Sequence, residues 1–153
     1  MIKGLTIVFT GLFTLFLFGC QQEQVIEVKN PKTPYHSEEA IENGDVVDLH
    51  GEISNLDRFE DFVESVENGV KDGIRITIYT DEGDPIYNNL DYDGNKIQYT
   101  YDNSQDGFAG SGQGVRSTFC SGIKAKENED GVEYRLSGCS SDVGDTFYFV
   151  VVE

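Results

Sequence analysis

Apolar residues recur at helical spacing between residues 55 and 68, and most of the positions between them are acidic or polar. Ser54 stands where a helix N-cap is expected and Gly69 where a helix ends, so the pattern predicts one long amphipathic helix. A shorter helix is predicted to begin at Ser37 and to end before Gly44. We expect the long helix to cover a sheet with the apolar positions Leu56, Phe59, Phe62, Val63 and Val66.

The chain after the long helix alternates between apolar and polar residues, as strands with one buried face do. A three-residue loop would pair Ile78 with Ile86, and a two-residue turn that starts at Asp93 would pair Leu90 with Ile97. Both turns keep the large apolar residues on one face, which supports a three-stranded antiparallel meander. The predicted strands cover 74–79, 86–90 and 97–101, and an earlier short strand covers 46–50.

One polar residue falls on the apolar face of this meander. The predicted register places Asn88 between Ile76 and Tyr99, where an amide without partners would cost about 1 to 3 kcal/mol. We therefore expect Asn88 to form a hydrogen bond with a tyrosine hydroxyl or with the backbone rather than to contact a ligand.

The C-terminal third predicts a second hairpin. A turn centred near Glu129 would place Ile123 opposite Leu136 and Cys120 opposite Cys139. Directly opposed strand residues approach closely enough for a disulfide, so the apolar pattern and the cysteine pair support the same register. The two strands of this hairpin cover 115–126 and 132–139.

The last apolar run, 147–152, is apolar on both sides, which predicts an interior position in the sheet. With one main helix and mostly consecutive strands, the sequence predicts an α+β fold in which the helix packs on an antiparallel sheet. A chain of 153 residues has room for one such domain, which we place at 37–153.

The first twenty residues differ in composition from all that follow. Lys3 is followed by an uncharged apolar run over 5–18, and a polar segment begins after Cys20, an order that is typical of an export signal. The apolar run is shorter than the roughly 20 residues that a membrane-spanning helix needs, so we expect it to be removed. Residues 17–20, Leu-Phe-Gly-Cys, resemble the bacterial lipobox, which implies a diacylglyceryl lipid on Cys20.

These features predict three segments and a location. The signal peptide covers 1–19, a lipidated N-terminus and flexible tether covers 20–36, and the domain follows. Two acyl chains give stable anchoring, so we expect the protein at the extracytoplasmic face of the cell membrane. Assigning Cys20 to the lipid leaves Cys120 and Cys139, an even pair that should form a disulfide outside the reducing cytoplasm.

The formal net charge of −17 narrows the range of partners. So acidic a surface repels nucleic acid and anionic lipid headgroups. We therefore expect no nucleic-acid binding, membrane contact through the lipid alone, and a monomer without a cofactor.

The segment from Asp102 through Ser104 and Asp106 to Gly107 carries oxygen ligands at alternate positions and then a glycine, like the start of a calcium loop. Gln113 stands where the closing bidentate acid is needed, and no helix flanks the segment, so this is a weak calcium candidate. The glycine-rich run that follows lacks the lysine of a phosphate-binding loop. We interpret it as a flexible connection, or as a movable loop over a pocket.

The sequence contains no recognisable catalytic motif. Neither His36 nor His50 lies in a known motif, and Ser111 lacks the strand-to-helix setting of a nucleophile elbow. With two cysteines in a bridge, a transition-metal site is not expected. The 28 acidic residues offer many carboxylate pairs, so a small envelope hydrolase that uses such a pair is the alternative function.

The outward side of the predicted meander carries tyrosines beside small polar residues, a composition that suits a protein or glycan partner. The competing interpretation is that later strands or the tether cover this face. We expect a binding module that engages a secreted protein, a peptide or a wall polymer through this face or through the glycine-rich loop. The candidate partner residues are Thr77, Tyr79, Tyr87, Asn89, Gln98 and Thr100.

Several segments together carry a family resemblance: EAIENGDVV from Glu39, Asn55 with the following leucine, GIRIT from Gly73, EGDPIY from Glu82 and IQYTYDNS from Ile97. They resemble an uncharacterised family of small lipoproteins from Gram-positive bacilli. The resemblance implies a lipobox, export and a single α+β domain. Because the family is a domain of unknown function, the resemblance supplies no catalytic residues.

Overall fold

The computed structural model describes residues 35–129 and 131–152. The predicted signal peptide, Cys20 and most of the predicted tether lie outside these ranges. No helix within them is both long enough and apolar enough to cross a membrane. The helices are α1 (Ser37–Glu42) and α2 (Leu56–Glu67), and the strands are β1 (Val46–Leu49), β2 (Glu52–Ser54), β3 (Asp72–Tyr79), β4 (Pro85–Tyr92), β5 (Ile97–Asp102), β6 (Val115–Cys120), β7 (Gly122–Asn128), β8 (Gly131–Ser137) and β9 (Phe149–Val151).

The strands form two sheets. The first sheet has six strands in the order β2-β1-β3-β4-β5-β6, and the second has three in the order β7-β8-β9. The β1–β3 pair is parallel, and the other neighbouring pairs are antiparallel. The fold is therefore α+β with one main helix, as predicted, but the large sheet is mixed. The connection between β1 and β3 contains α2, which supplies the crossover that a parallel pair requires.

The core lies where α2 meets both sheets. Phe59 and Phe62 of α2 are fully buried, in one cluster with Ile76 of β3. The centroid of the Phe59 ring lies 4.8 Å from that of Tyr134 and 4.7 Å from that of Phe149, both in the second sheet. Full burial of one large apolar side chain stabilises a fold by about 1.5 to 3 kcal/mol. The apolar face predicted for this helix thus joins the two sheets.

The register of the meander is partly as predicted. β3 and β4 pair in the predicted register, with Ile78 opposite Ile86. β4 and β5 pair two residues away from the prediction, because Leu90 lies opposite Tyr99 and not opposite Ile97.

The cause of this shift is the side chain of Asp93. Its Oδ1 accepts hydrogen bonds from the backbone N–H groups of Asn95 and Lys96, both at 2.9 Å. These bonds stabilise a longer connection than the predicted two-residue turn. Since a shift of two residues leaves every side chain on its predicted face, the apolar pattern could not distinguish the two registers.

The buried amide of Asn88 has the kind of partner that was predicted. The Tyr99 hydroxyl donates a hydrogen bond to Asn88 Oδ1 at 2.7 Å, and it lies 3.0 Å from the Thr146 hydroxyl. Asn88 therefore belongs to the fold and not to a ligand site.

Two predictions about the C-terminal third are wrong. The run predicted as one strand over 115–126 is two strands, because the chain passes from the first sheet to the second at Ser121. β7 and β8 do pair as predicted, with Ile123 opposite Leu136. β9 lies at the edge of the second sheet and not in its interior, and its apolar character reflects the packing of Phe149 against α2.

The predicted disulfide between Cys120 and Cys139 is confirmed. The two residues are not opposed within one hairpin, as the sequence suggested. Cys120 ends β6 in the first sheet, whereas Cys139 follows β8 in the second, so the bridge joins the two sheets. The Ser140 N–H donates to the Phe119 carbonyl at 2.8 Å and holds the same junction through the backbone.

Removal of this bridge should lower the free energy of unfolding by about 3 kcal/mol, the loop-closure estimate for a separation of 19 residues. We expect urea unfolding of the C120S/C139S variant to show this loss, with chemically reduced wild type as the control. A variant as stable as the oxidised protein would contradict the prediction.

Candidate functional site

The six-stranded sheet has two faces that are used differently. One face carries Ile76 and Leu90 and packs with α2 in the core. The other, here called the outer face, carries the residues that were predicted to form an exposed partner surface. Over β1, β3 and β4 this face is covered, and over β5 and β6 much of it is open.

Four of the six candidate partner residues are buried, so the competing interpretation, that other parts of the chain cover this face, describes them. Thr77 and Tyr87 are 0% exposed, and Tyr79 and Asn89 are each 5% exposed. The cover is Tyr35, which belongs to the predicted tether, together with α1. Tyr35, Ala40, Val47, Tyr79 and Tyr87 form a second buried cluster, here called the Tyr35 cluster.

A buried carboxylate holds this cover in place. Asp45 Oδ2 accepts hydrogen bonds from the Thr77 hydroxyl at 2.7 Å and from the Tyr35 hydroxyl at 3.2 Å. The Arg75 guanidinium lies 3.6 Å from Asp45 Oδ1, and the Tyr79 hydroxyl donates to the Tyr35 carbonyl at 2.9 Å. Burial raises the pKa of Asp45, and the Thr77 hydrogen bond and the Arg75 charge oppose that rise. The arrangement stabilises the covered half of the face.

A row of directly opposed residues crosses the outer face beyond this cover. Gly73 pairs with Asp91, Asp91 with Gln98, and Gln98 with Phe119. Asp91 and Gln98 are exposed, and the Phe119 ring is 43% exposed. Because directly opposed residues of neighbouring strands lie side by side, these side chains form one continuous strip. Four adjacent strands span about 14 Å.

A cavity of about 380 Å³ opens at this row, a size within the range of small-ligand sites. Its lining combines carboxylates, amines, an amide and two aromatic rings. The cavity, here called the outer groove, is lined by Gly73, Asp91, Gln98 and Phe119 from the row and by Lys71, Asp72, Tyr92, Asp93 and Lys96 beside it.

Gly73 makes room for the carboxylate in the groove. A Cβ atom at position 73 would lie 2.9 Å from Asp91 Oδ1, closer than van der Waals contact allows. A larger residue at this position would displace the end of the Asp91 side chain.

Two of the three acidic groups that line the groove, Asp91 and Asp93, are in opposite electrostatic environments. Packing on the strand surface removes water from Asp91, and this desolvation raises its pKa. Asp93 accepts backbone hydrogen bonds from Lys96 and Asn95, and these bonds, with the charges of Lys96 and Lys71, lower its pKa. A perturbed acid in a cavity marks a candidate functional group, and the acid whose pKa is raised here is Asp91.

The rest of the open face is polar. The Lys96 ammonium lies 4.1 Å from the centroid of the Phe119 ring, so each side chain helps to position the other. In the next row the Thr100 and Ser117 hydroxyls are 2.9 Å apart, and Ser117 is exposed. Gln98 and Thr100 are thus the two predicted surface residues that the structure places on the open part of the face.

The weak calcium candidate is accounted for by turn formation. Asp102 Oδ1 accepts the Ser104 N–H and Asp106 Oδ1 accepts the Phe108 N–H, both at 2.8 Å. The Gln113 side chain closes the loop by donating to the carbonyls of Ser104 and Asp106. Within 35–129 and 131–152, no group of three or more histidine, cysteine, aspartate or glutamate side chains is placed to hold a metal ion.

Comparison with known protein families matches residues 43–135 to the family described as "Domain of unknown function (DUF4362)". The match extends from the end of α1 into β8 and covers more than half of the chain. The chain belongs to this family. The expected membership of an uncharacterised domain family is thereby confirmed, whereas a lipid anchor and a bacterial group are not part of the match. No curated protein and no solved structure matches the chain significantly.

Within the family domain, sequence reasoning missed the groove while naming one of its residues, Gln98. Phe119 fell within the strand predicted over 115–126, and Asp91 was not among the candidate site residues. The available signal was the β3–β4 register, which places Gly73 opposite Asp91 and so predicts a gap beside a carboxylate.

The Asp45 network yields a stability prediction. Asp45→Ala should lower the free energy of unfolding by about 3 kcal/mol, because it leaves the Arg75 guanidinium, only 14% exposed, without its counter-charge. Thr77→Val should cost less, about 1 to 2 kcal/mol, since it removes one hydrogen bond. Urea unfolding measures both, with the exposed Asp61→Ala as the control. Equal stability of Asp45→Ala and wild type would show that Asp45 does not hold the cover.

The groove yields a titration prediction. We expect Asp93 to titrate at a lower pH than Asp91 when the side-chain carboxyl carbons are followed by NMR. Because the folded-state pKa of Asp91 is raised, its contribution to stability is full below the ordinary value of 3.8 and is lost as the pH rises through the raised pKa. In Gly73→Ala the displaced Asp91 should titrate closer to its ordinary value while Asp93 is unchanged. The reverse order of the two aspartates would refute this description of the groove.

Proposed function

We propose that this protein is a lipid-anchored binding module at the extracytoplasmic face of the cell membrane, and that the outer groove is its binding site. The anchor rests on the amino-acid sequence of the first twenty residues, with Cys20 as the lipidated residue. The binding site rests on the groove, where an uncompensated carboxylate and an exposed aromatic ring line one cavity.

The uncompensated state of Asp91 is the observation that carries the proposal. Among the described residues, no lysine, arginine or histidine nitrogen forms an ion pair with its carboxylate. The neighbouring Asp72 differs, because Arg58 binds its two oxygens at 2.6 and 3.0 Å. The carboxylate is exposed, and a ligand that supplies a cation would form with it an ion pair that the described residues do not provide.

The exposed side chains of Phe119 and Gln98 in the groove are better explained by ligand binding than by a role in stabilising the fold. Phe119 and Gln98 are directly opposed on the open face, and both are exposed. An aromatic ring beside an amide is typical of sites that recognise polar ligands with apolar faces. The partners that we propose are a wall polymer, a peptide or a secreted protein.

A second candidate is a small envelope hydrolase that uses a carboxylate pair. It is favoured by the opposite pKa shifts of Asp91 and Asp93 in one cavity, because an acid–base pair needs one protonated and one ionised group. The commitment of Asp93 Oδ1 to two backbone N–H groups favours a structural role for that residue and hence the binding function. Ligand turnover that is lost in Asp91→Asn would support the hydrolase.

The binding function predicts that capture from cell-envelope and secreted fractions depends on the groove. We expect full-length protein to retain a specific component that Phe119→Ala loses. Tyr148→Ala is the matched control, since Tyr148 is also a half-exposed ring with a cation above it, the Arg135 guanidinium at 4.3 Å. Tyr87→Ala is unsuitable as a probe because Tyr87 is fully buried. Equal capture by the Phe119 and Tyr148 variants would refute the groove as the site.

A further inference from the structure

We infer, as a refinement that rests on the proposed function, that the outer groove binds a hydroxyl-rich glycan with a free primary amine, whose ammonium group pairs with Asp91. The amine of the ligand would supply the cation that Asp91 lacks, and the hydroxyls of the ligand would match the amide and hydroxyl groups of the open face. Three observations lead to it.

The first observation is the distribution of charge in the groove. Lys71 and Lys96 act on Asp93, where their charges help to keep that carboxylate ionised. Desolvation is the perturbation at Asp91, where no compensating cation is found among the described residues. An ammonium group on the ligand would therefore meet an unpaired carboxylate at one end of the groove without displacing a resident lysine.

The second observation is the direction of the groove relative to the strands. The row from Gly73 to Phe119 runs across the strands, and its central residues, Asp91 and Gln98, lie on β4 and β5, which each have a hydrogen-bonded strand on both sides. A peptide that binds by adding a strand needs free backbone groups at a sheet edge, and the centre of this row offers none. Recognition at the centre of the row therefore uses side chains, and the amide of Gln98 with the hydroxyls of Thr100 and Ser117 offers donors and acceptors for a polyol.

The third observation is the charge of the whole chain. A net charge of −17 attracts cations and repels anionic polymers over a distance of about one Debye length. A glycan with free amines is therefore steered toward the protein, whereas a phosphate-rich or carboxylate-rich polymer is not. The exposed Phe119 ring would supply an apolar surface for the carbon–hydrogen face of a sugar ring.

The test uses two oligosaccharides that differ in their amino groups only. Full-length protein in non-ionic detergent is titrated calorimetrically with a glucosamine tetramer and with the same tetramer fully N-acetylated. We expect the free-amine tetramer to bind about tenfold or more tightly than the acetylated one, with this preference lost in Asp91→Asn. Gln98→Ala should weaken both tetramers alike, because the amide contacts hydroxyls common to the two.

A control variant distinguishes binding at a defined site from nonspecific electrostatic attraction between a polycation and an acidic protein. Asp61→Asn makes the same charge change on the exposed side of α2, on the far side of the sheet. It should leave the affinity unchanged, and an equal loss in Asp61→Asn and Asp91→Asn would overturn the assignment of the amine to Asp91.

The remaining outcomes distinguish the proposal of an amine-bearing glycan from the more general proposal that the groove is a binding site. If both tetramers bind equally and Phe119→Ala abolishes both, the groove is a glycan site and the amine is wrong. If neither tetramer binds while envelope capture still depends on Phe119, the glycan class is wrong and the binding function stands. If neither binds and capture does not depend on Phe119, both proposals fail.

Discussion

The buried carboxylate of Asp45 determines which part of the outer face is available to a ligand. It accepts hydrogen bonds from the hydroxyls of Thr77 in the sheet and Tyr35 before α1, and Arg75 supplies the nearby positive charge. A buried carboxylate needs such partners, and these hydrogen bonds hold the first described residues on the sheet. The cover ends beyond Asn89, and the groove begins there. The contacts of Asp45 thus hold the cover over one half of the face, and the other half stays open.

The fold was largely predictable because its long helix and its strands have strong periodic patterns. The apolar positions of α2 lie in the core as expected, and each strand of the meander presents its expected face. The position of Cys120 was missed because the one break signal between Val115 and Lys126, the Ser121-Gly122 pair at the change of sheet, is also compatible with a bulge in a continuous strand. The β4–β5 register failed for a different reason. Two registers bury the same residues, and the hydrogen bonds of the Asp93 side chain stabilise one of them.

The site was harder to predict than the fold because exposure is a tertiary property. The pattern correctly placed Thr77, Tyr87 and Thr100 on the face opposite to the core. It did not reveal that Tyr35, more than forty residues before Tyr79 in the chain, would cover part of that face. Asp91 stayed hidden for a related reason: an aspartate near a turn is ordinarily a turn residue, and only its proximity to Gly73 distinguishes it.

The position of Tyr35 also relates the proposed anchor to the proposed site. Tyr35 packs on the covered half of the outer face, and the groove opens on the other half of the same face. A chain from a lipidated Cys20 to Tyr35 reaches at most about 50 Å. With the anchor proposed at Cys20, Tyr35 stays within that reach of the membrane, and we propose that a ligand of the groove occurs in the layer next to the bilayer. The same acidity that repels anionic headgroups would hold the domain away from the lipid surface and leave the groove accessible to that layer.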